Sequence, residues 1–481
     1  MNVYLLNAPF KRNFVRCGRW QGVASRGGTL YYPIWLSYAT GVLEKEGYNV
    51  RLVDAPAWKW DLEKVIKDAK AFKPNLVIVD SNFSSLKNDC EIAKLLKDET
   101  NATSVLVGPP VSQFSERILN YGVDIAARFE YDFIVRDIAE AIESNLSIDN
   151  IRGISYKKDG KIIHNPDREF ISSKELDEVP FVSAVYKKHL NLNDYFLGHT
   201  LNPMVQIFTG RGCPNRCTFC SWPENLMGRK HRVRSVDNVV NEFEFVVNEL
   251  PEVNEIFIED DTFTIGTKRI QEICTKIKKR GLDITWSCNA RANLDYESMK
   301  IMKDAGCRLL DVGYESGSDE ILKNIKKGIT TADSRKFTKN AKKAGLMILA
   351  DVIIGMPGET KETARQTIQF MKEVAPNIVQ FSVATPIPGT EFYNWVKDDG
   401  FLLVDDLEES LDSEGFQKCI VSYPDFTKQD IESYVDKGLK EYYLSLSFVP
   451  IAFSNICRKN GLHEFKSMVK SAKMFFKYVS R

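Results

Sequence analysis

Short apolar runs alternate with longer amphipathic stretches from the first residues onward. Segments 3–6, 50–53, 76–79 and 104–107 have the length and apolar content of buried strands, and each is followed by a helix-length stretch, at 32–45, 62–71, 87–96 and 112–119. Strands separated by helices predict a parallel sheet with right-handed crossovers. Residues 1–145 are therefore expected to form a doubly wound, Rossmann-like α/β domain. Its ligand site would lie at the carboxyl ends of the strands, near 7–10, 54–56, 81–85 and 108–111. Between 146 and 200 the pattern loosens into a strand pair (153–157, 161–164), turn residues and a Pro-containing connector, read as a linker. Alternation resumes over 201–400, with strands expected at 205–208, 255–258, 284–287, 309–313, 346–354 and 378–383. Repeated βα units of this kind predict a partial (β/α)6 TIM-type barrel whose chemistry sits at the C-terminal strand ends. The remainder, 401–481, reads as a helical C-terminal region.

At 481 residues the chain is too long for one ordinary core, which agrees with this division. An apolar fraction of 43% with 27% charged residues is that of a soluble globular protein. Lys plus Arg and Asp plus Glu stand at 65 each, so no whole-chain field favours a nucleic-acid partner. Residues 1–10 read as a first strand and not as a signal peptide, and no apolar run reaches the roughly 18 residues of a membrane span. Seven of the ten cysteines are scattered singly, at 17, 90, 274, 288, 307, 419 and 457, without a disulfide framework. A reducing cytoplasm is the expected location.

The other three cysteines are clustered. Gly212-Cys213-Pro214-Asn215-Arg216-Cys217-Thr218-Phe219-Cys220 follows the first expected barrel strand, placing a CxxxCxxC loop at the catalytic rim. Thiolates are the usual ligands of iron-sulfur clusters, and three of them leave one iron of a 4Fe-4S cubane open to a small molecule. The competing reading is an incomplete zinc site with His231 as a distant fourth ligand; structural zinc favours cysteine pairs that come in twos, and no second pair is present. Polar and glycine-rich runs stand at the later strand ends: Glu259-Asp260-Asp261-Thr262-Phe263, Asn289-Ala290-Arg291-Ala292-Asn293, Gly313-Tyr314-Glu315-Ser316-Gly317-Ser318 and Gly355-Met356-Pro357-Gly358-Glu359-Thr360. Such residues let backbone and carboxylates approach a cofactor closely. The bland reading of Gly355 and Gly358 is a strand-to-helix turn, and that of Arg291 an ion pair with Asp260 or Asp261.

The CxxxCxxC loop at the end of a first barrel strand resembles the signature of the radical S-adenosylmethionine (SAM) superfamily. The resemblance implies that Cys213, Cys217 and Cys220 hold the cluster and that the open iron chelates SAM, which is cleaved reductively to a 5'-deoxyadenosyl radical. It also implies that Phe219 packs near the adenine, that Arg291 and Glu315 approach the methionine or ribose, that the turn carrying Gly355 and Gly358 touches the adenine, and that Glu259 and Ser316 belong to the same cofactor rim. A doubly wound domain ahead of the barrel resembles the cobalamin-binding class. More narrowly, Arg16-Cys17-Gly18-Arg19-Trp20, Pro33-Ile34-Trp35-Leu36-Ser37-Tyr38-Ala39, Glu130-Tyr131-Asp132-Phe133, Cys217-Thr218-Phe219-Cys220-Ser221-Trp222-Pro223, Asp260-Asp261-Thr262-Phe263-Thr264 and Pro386-Ile387-Pro388-Gly389-Thr390 look like the hopanoid-pathway radical SAM proteins.

One departure bears on the cofactor. Domains that bind cobalamin through a histidine carry DxHxxG, and no histidine occurs before His164, so a histidine-ligated corrinoid is excluded by composition. Cobalamin binding without that ligand stays open. The primary expectation is hydrogen abstraction from an apolar, lipid or isoprenoid substrate, leading to rearrangement, cyclisation or coupling. Cobalamin-dependent radical methylation is the runner-up, and a non-catalytic iron-sulfur ligand-binding protein the alternative from another class. The chemistry implies a low-potential ferredoxin or flavodoxin as reductant. Lys466, Lys470, Lys473 and Lys477 fall on one stripe of a C-terminal amphipathic helix, which suits either peripheral membrane contact or docking of the apolar face on the barrel. Cys17, between Arg16 and Arg19, reads as an inert thiol or a reactive one, and Cys288 is the dispersed cysteine nearest a strand end.

Overall fold

In the computed structural model, which describes residues 1–16, 22–25, 27–446, 448–458 and 461, the strands fall into two main sheets. The first has the spatial order Asn49–Asp54, Asn2–Asn7, Leu76–Asp80, Thr103–Val107, Ile125–Ala127, Ile154–Lys158, Lys161–His164. Its first five members are parallel, as the alternation predicts. The strand order reverses at Asn2–Asn7, where Asn7 pairs in register with both Asp54 and Asp80; a doubly wound sheet opens its ligand crevice at such a reversal. Alternate side chains serve two layers: Val3 and Leu5 join the core with the helix Ile34–Lys45, and Tyr4 and Leu6 pack with the helices Leu62–Phe72 and Leu86–Thr100.

Two features of this sheet differ from the sequence pattern. Ile125–Ala127 is a fifth parallel strand, too short and too alanine-rich to register as an apolar run. The strand pair read as part of a 146–200 linker is the sheet's antiparallel edge: Ile154–Lys158 pairs with Ile125–Ala127 and then with Lys161–His164. A two-stranded hairpin has no stable existence alone in water, and a neighbouring sheet edge supplies the missing partner.

The second sheet contains Met204–Ile207, Glu255–Ile258, Thr285–Ala290, Cys307–Glu315, Met347–Ile354 and Ile378–Val383, all parallel and in chain order. No ladder joins the first to the last among the described residues, so this is the open six-stranded barrel that was expected. Four of the intervening helices begin at side-chain caps: Ser235, Asp295, Thr330 and Thr360 each accept an N–H of the first turn.

The two sheets share one continuous core. Tyr32 donates through its hydroxyl to Met204 O at 2.7 Å, and Trp35 and Tyr38 on the helix Ile34–Lys45 pack against Phe208 at the end of the first barrel strand. Residues 401–427 are largely irregular, not helical; they are tied by isolated bridges, Leu402 to Val421 and Leu411 to Gln417, and close an apolar cluster of Phe83, Ile387, Leu407 and Ile420. Helix resumes at Lys428–Tyr443 and Phe448–Ile456. The lysine stripe and Cys17 lie outside the described residues. No helix among the described residues is long and apolar enough to cross a membrane.

Candidate cofactor site

The cysteine loop grows out of a short hairpin. Gly210–Arg211 pairs with Arg232–Val233, and Gly212, with φ of 82°, packs so closely that a Cβ there would stand 2.3 Å from Lys230 O. Beyond it, Cys213 and Cys217 are buried free thiols and Cys220 is half-buried. Asn215 Nδ2 donates to Cys213 Sγ at 3.2 Å, and Cys220 N donates to Cys217 O at 3.3 Å. Thr218 N donates to Ile325 O (3.1 Å) and Thr218 O accepts from Phe392 N (2.9 Å), so the end of the helix Asp319–Asn324 and the start of the helix Glu391–Asp398 clamp this segment. Three thiols on one loop with a solvent-facing side suit a cubane, each of whose protein ligands reaches a different iron. Among the described residues, no three His, Cys, Asp or Glu side chains converge on a single ion position.

The acidic run after the second barrel strand braces this loop. Glu259 accepts from Gln206 Nε2 at 3.0 Å, Asp260 accepts from the N–H and hydroxyl of Thr209, each at 2.6 Å, and Asp261 accepts from Gly212 N at 3.0 Å. Burial pushes the Asp260 carboxyl up, against the Thr209 hydrogen bonds that favour its charge. The ion pair suggested for Arg291 with Asp260 or Asp261 is not formed; the guanidinium lies beside Gly328 and makes no side-chain hydrogen bond among the described residues.

Glu315 sits at a register shift in the fourth strand with φ of 62°, a left-handed conformation that a non-glycine residue holds only when its surroundings enforce it. The enforcing partner is Lys327, whose Nζ donates to Glu315 Oε1 at 2.6 Å, both residues being buried. A Cβ on Gly313 would stand 2.2 Å from Glu315 Oε1 and 2.8 Å from Lys327 Nζ, so any side chain at that position would have to displace the pair. Burial works against the lysine charge, yet Glu315, with Cys217 nearby, holds its pKa above the ordinary value. Lys327 had no sequence signal: it stands in a lysine-rich run that reads as solvated.

The remaining rim positions divide. Phe219 packs, partly exposed, against the core. Ser316 shares a hydrogen bond of 3.1 Å with Thr367 on the helix Lys361–Val374, which engages its hydroxyl. Gly355 and Gly358 have φ of 101° and 79°. The turn between them is held by Glu359, whose Oε2 accepts the N–H groups of Gly355 and, at 3.2 Å, Met356, while Tyr423 donates to Gly355 O at 2.7 Å. Oε1 of Glu359 is buried without a partner, and burial pushes the carboxyl to about 7 despite the two amide bonds.

The crevice of the first domain is also built from buried polar groups. Asn7 Nδ2 and Tyr195 Oη donate to the two oxygens of Asp54 at 2.9 and 2.8 Å, while burial raises that carboxyl to about 6. Arg16, paired with Asp89 at 2.7 Å and donating to Ala8 O, is the cation buried over the end of Asn2–Asn7. Ser81, just past Leu76–Asp80, has a buried hydroxyl without a partner, and a Cβ on Gly108 would stand 2.4 Å from Ser81 O. A close backbone approach with an unsatisfied hydroxyl and no histidine fits a corrinoid held without a protein histidine on its metal.

Cys288 meets Cys307 and Cys274 in the apolar layer between the sheet and the helix Thr267–Lys279. Burial raises the Cys288 and Cys274 thiols well above the usual range, the state of inert core cysteines.

The Radical SAM superfamily model matches residues 207–371 and the B12 binding domain model residues 21–138. An uncharacterized methyltransferase of Pyrococcus horikoshii is 31% identical over 421 residues, 87% of this chain and 89% of that one. The hopanoid C-3 methylase of Methylococcus capsulatus is 26% identical over 381 residues, 75% of this chain and 68% of that one. Among solved structures, the radical S-adenosylmethionine methyltransferase TsrM of Kitasatospora setae, with cobalamin and a 4Fe-4S cluster bound, superposes with a TM-score of 0.73 at 16% identity, covering 98% of this chain and 99% of that one. At that identity the likeness is one of fold. With the cysteine loop on the first barrel strand and a doubly wound domain ahead of it, the chain belongs to the radical SAM superfamily, in the class that carries an N-terminal B12-binding domain.

Proposed function

We propose that the protein is a cobalamin-dependent radical SAM methyltransferase acting on a small molecule. The observation that carries this reading is the packing of the two domains in one core: the B12-type domain lays its helix Ile34–Lys45 directly onto the barrel strand that leads into the cysteine loop. In this reading Cys213, Cys217 and Cys220 hold the 4Fe-4S cluster, and the crevice around Ser81 and Gly108 takes the corrinoid. Bound there, the cluster supplies an electron from a low-potential ferredoxin or flavodoxin, and the corrinoid supplies a metal able to carry a methyl group.

In this reading the chain's own residues bind and orient SAM: Lys327 holds Glu315 in position for the ammonium end of SAM, and the Arg291 guanidinium meets a carboxylate or ribose oxygen. Phe219 and the Glu359-braced turn of Gly355 and Gly358 flank the adenine, with Glu259 behind the rim. Ser316, engaged by Thr367, contributes through the loop backbone. Methyl transfer is preferred here to hydrogen abstraction as the main reading, since the Pyrococcus and Methylococcus relatives are named as a methyltransferase and a methylase.

The test is anaerobic reconstitution with iron, sulfide and cobalamin, followed by methyl-labelled SAM and a strong reductant, in wild type and Cys217→Ala. S-adenosylhomocysteine with label on the protein-bound corrinoid, absent from the variant, supports methyl transfer. 5'-deoxyadenosine without S-adenosylhomocysteine would return the hydrogen-abstraction reading. Neither product from an assembled cluster would favour a non-catalytic binding protein.

A further inference from the structure

Glu130-Tyr131-Asp132 in the first domain and the run from Trp35 to Tyr38 are far apart in sequence, yet both converge on Arg211, two residues before Cys213. Arg211 is only 2% exposed; its Nη1 and Nη2 donate to the two oxygens of Asp132 at 2.8 and 3.0 Å, and Nη1 also lies 3.5 Å from Glu130. The guanidinium packs over the rings of Trp35 and Tyr38 at 4.9 and 5.0 Å. Its hairpin partner Arg232 donates to the other oxygen of Glu130 at 2.6 Å and to Ile171 O at 2.7 Å, and the Tyr38 hydroxyl accepts the N–H of Phe208 at 2.9 Å. Every one of these side chains belongs to a buried residue.

Apolar contact alone could join two domains with less desolvation, since burying charges is costly even when they are paired. A bidentate Arg–carboxylate contact adds what apolar contact lacks: it fixes two distances and a plane. Here that plane is fixed at the stem from which the cysteine loop emerges. We propose that Arg211, Asp132 and Glu130 form a positioning joint that sets the cysteine loop, and the SAM bound there, at a fixed gap from the ligand of the first domain. The proposal rests on the methyl-transfer reading above for its consequence, but the ordering of the loop stem can be measured without it.

The test uses full-length protein loaded with cluster and cobalamin, comparing wild type with Asp132→Asn. The readouts are iron and corrinoid content, the SAM-induced change in the spectrum of the reduced cluster, substrate-free S-adenosylhomocysteine formation from SAM and reduced cobalamin, and amide hydrogen exchange over residues 204–213. Cofactor content and the SAM-induced change should be retained, S-adenosylhomocysteine formation should slow roughly 10–100-fold, as for a displacement of about 1 Å between reacting groups, and residues 208–213 should exchange faster. Wild-type rate and wild-type exchange in a fully loaded variant would overturn the joint. If the Asn variant loses its cofactors, the double variant Arg211→Met/Asp132→Leu, which removes both charges and keeps their volume, decides: loaded and slow supports the joint, loaded and as fast as wild type overturns it. Wild type that forms no S-adenosylhomocysteine would sink the methyl-transfer reading instead, and the joint would then stand or fall on the exchange at 208–213.

Discussion

Replacing Glu359 by Gln should make the protein more stable than wild type at alkaline pH and not at acidic pH. The carboxyl is fully enclosed, accepts two backbone N–H groups through one oxygen and leaves the other without a partner. Burial holds its pKa near about 7 in the folded chain against an ordinary 4.5. A carboxyl raised in this way contributes its full stability below about pH 4.5 and loses it as pH climbs through 7. At about 1.4 kcal/mol per pH unit, the ionised form costs the fold about 3 kcal/mol by pH 8. Glutamine keeps an oxygen for the Gly355 and Met356 amides and never ionises. Thermal unfolding of both proteins under anaerobic conditions between pH 5 and 8.5 should show the Tm of the variant rising relative to wild type, by roughly 5–10 °C if the barrel unfolds as a unit of ordinary domain size. An offset that stays constant across that range would refute the reasoning, because only a titrating carboxyl makes it depend on pH.

Further expectations follow from the same contacts. Lys327→Met leaves Glu315 buried and uncompensated and should cost roughly 3–5 kcal/mol in chemical denaturation; adding Glu315→Gln should recover most of that loss, and no recovery would mean the two are not a pair. Gly313→Ala drives a Cβ into both members of that pair, so SAM affinity, read by isothermal titration of the reconstituted protein, should weaken together with a loss of roughly 1–3 kcal/mol in stability. Tyr195→Phe removes one of two side-chain donors from Asp54 and should destabilise by roughly 1.5–3 kcal/mol above pH 6, where that carboxylate is ionised, and by less below it.

The alternation of apolar runs was enough to read both sheets, because parallel strands buried on two faces leave near-continuous Val, Ile and Leu segments such as 76–79 and 346–354. It failed where a strand owes its existence to a neighbour. Ile125–Ala127 is three residues long, and the hairpin at 154–164 is half exposed, so neither has a pattern strong enough to assign it to a sheet. Spacing alone picked out the three clustered cysteines, since local chain geometry places them on one loop. Lys327, Glu359 and Arg211 were not assigned roles because their partners, Glu315, the Gly355 turn and Asp132, are brought to them by the fold: Arg211 and Asp132 are 79 positions apart. The stripe of lysines near the C-terminus shows the opposite limit, a clear pattern with two opposed readings.

An open barrel leaves its last strand, Ile378–Val383, with a row of backbone groups facing outward, and the chain answers with a side chain. Tyr443, at the end of the helix Lys428–Tyr443, uses one hydroxyl both to accept the N–H of Val379 at 2.9 Å and to donate to its carbonyl at 2.8 Å, as a neighbouring strand would. Tyr442 beside it donates to Pro376 O, and Asn455 on the next helix receives the Asn377 amide at 2.8 Å. The C-terminal helices thus act as a guard against strand addition. Shortened expression versions ending before Lys428 would bare that border, and bared strand borders recruit one another into aggregates.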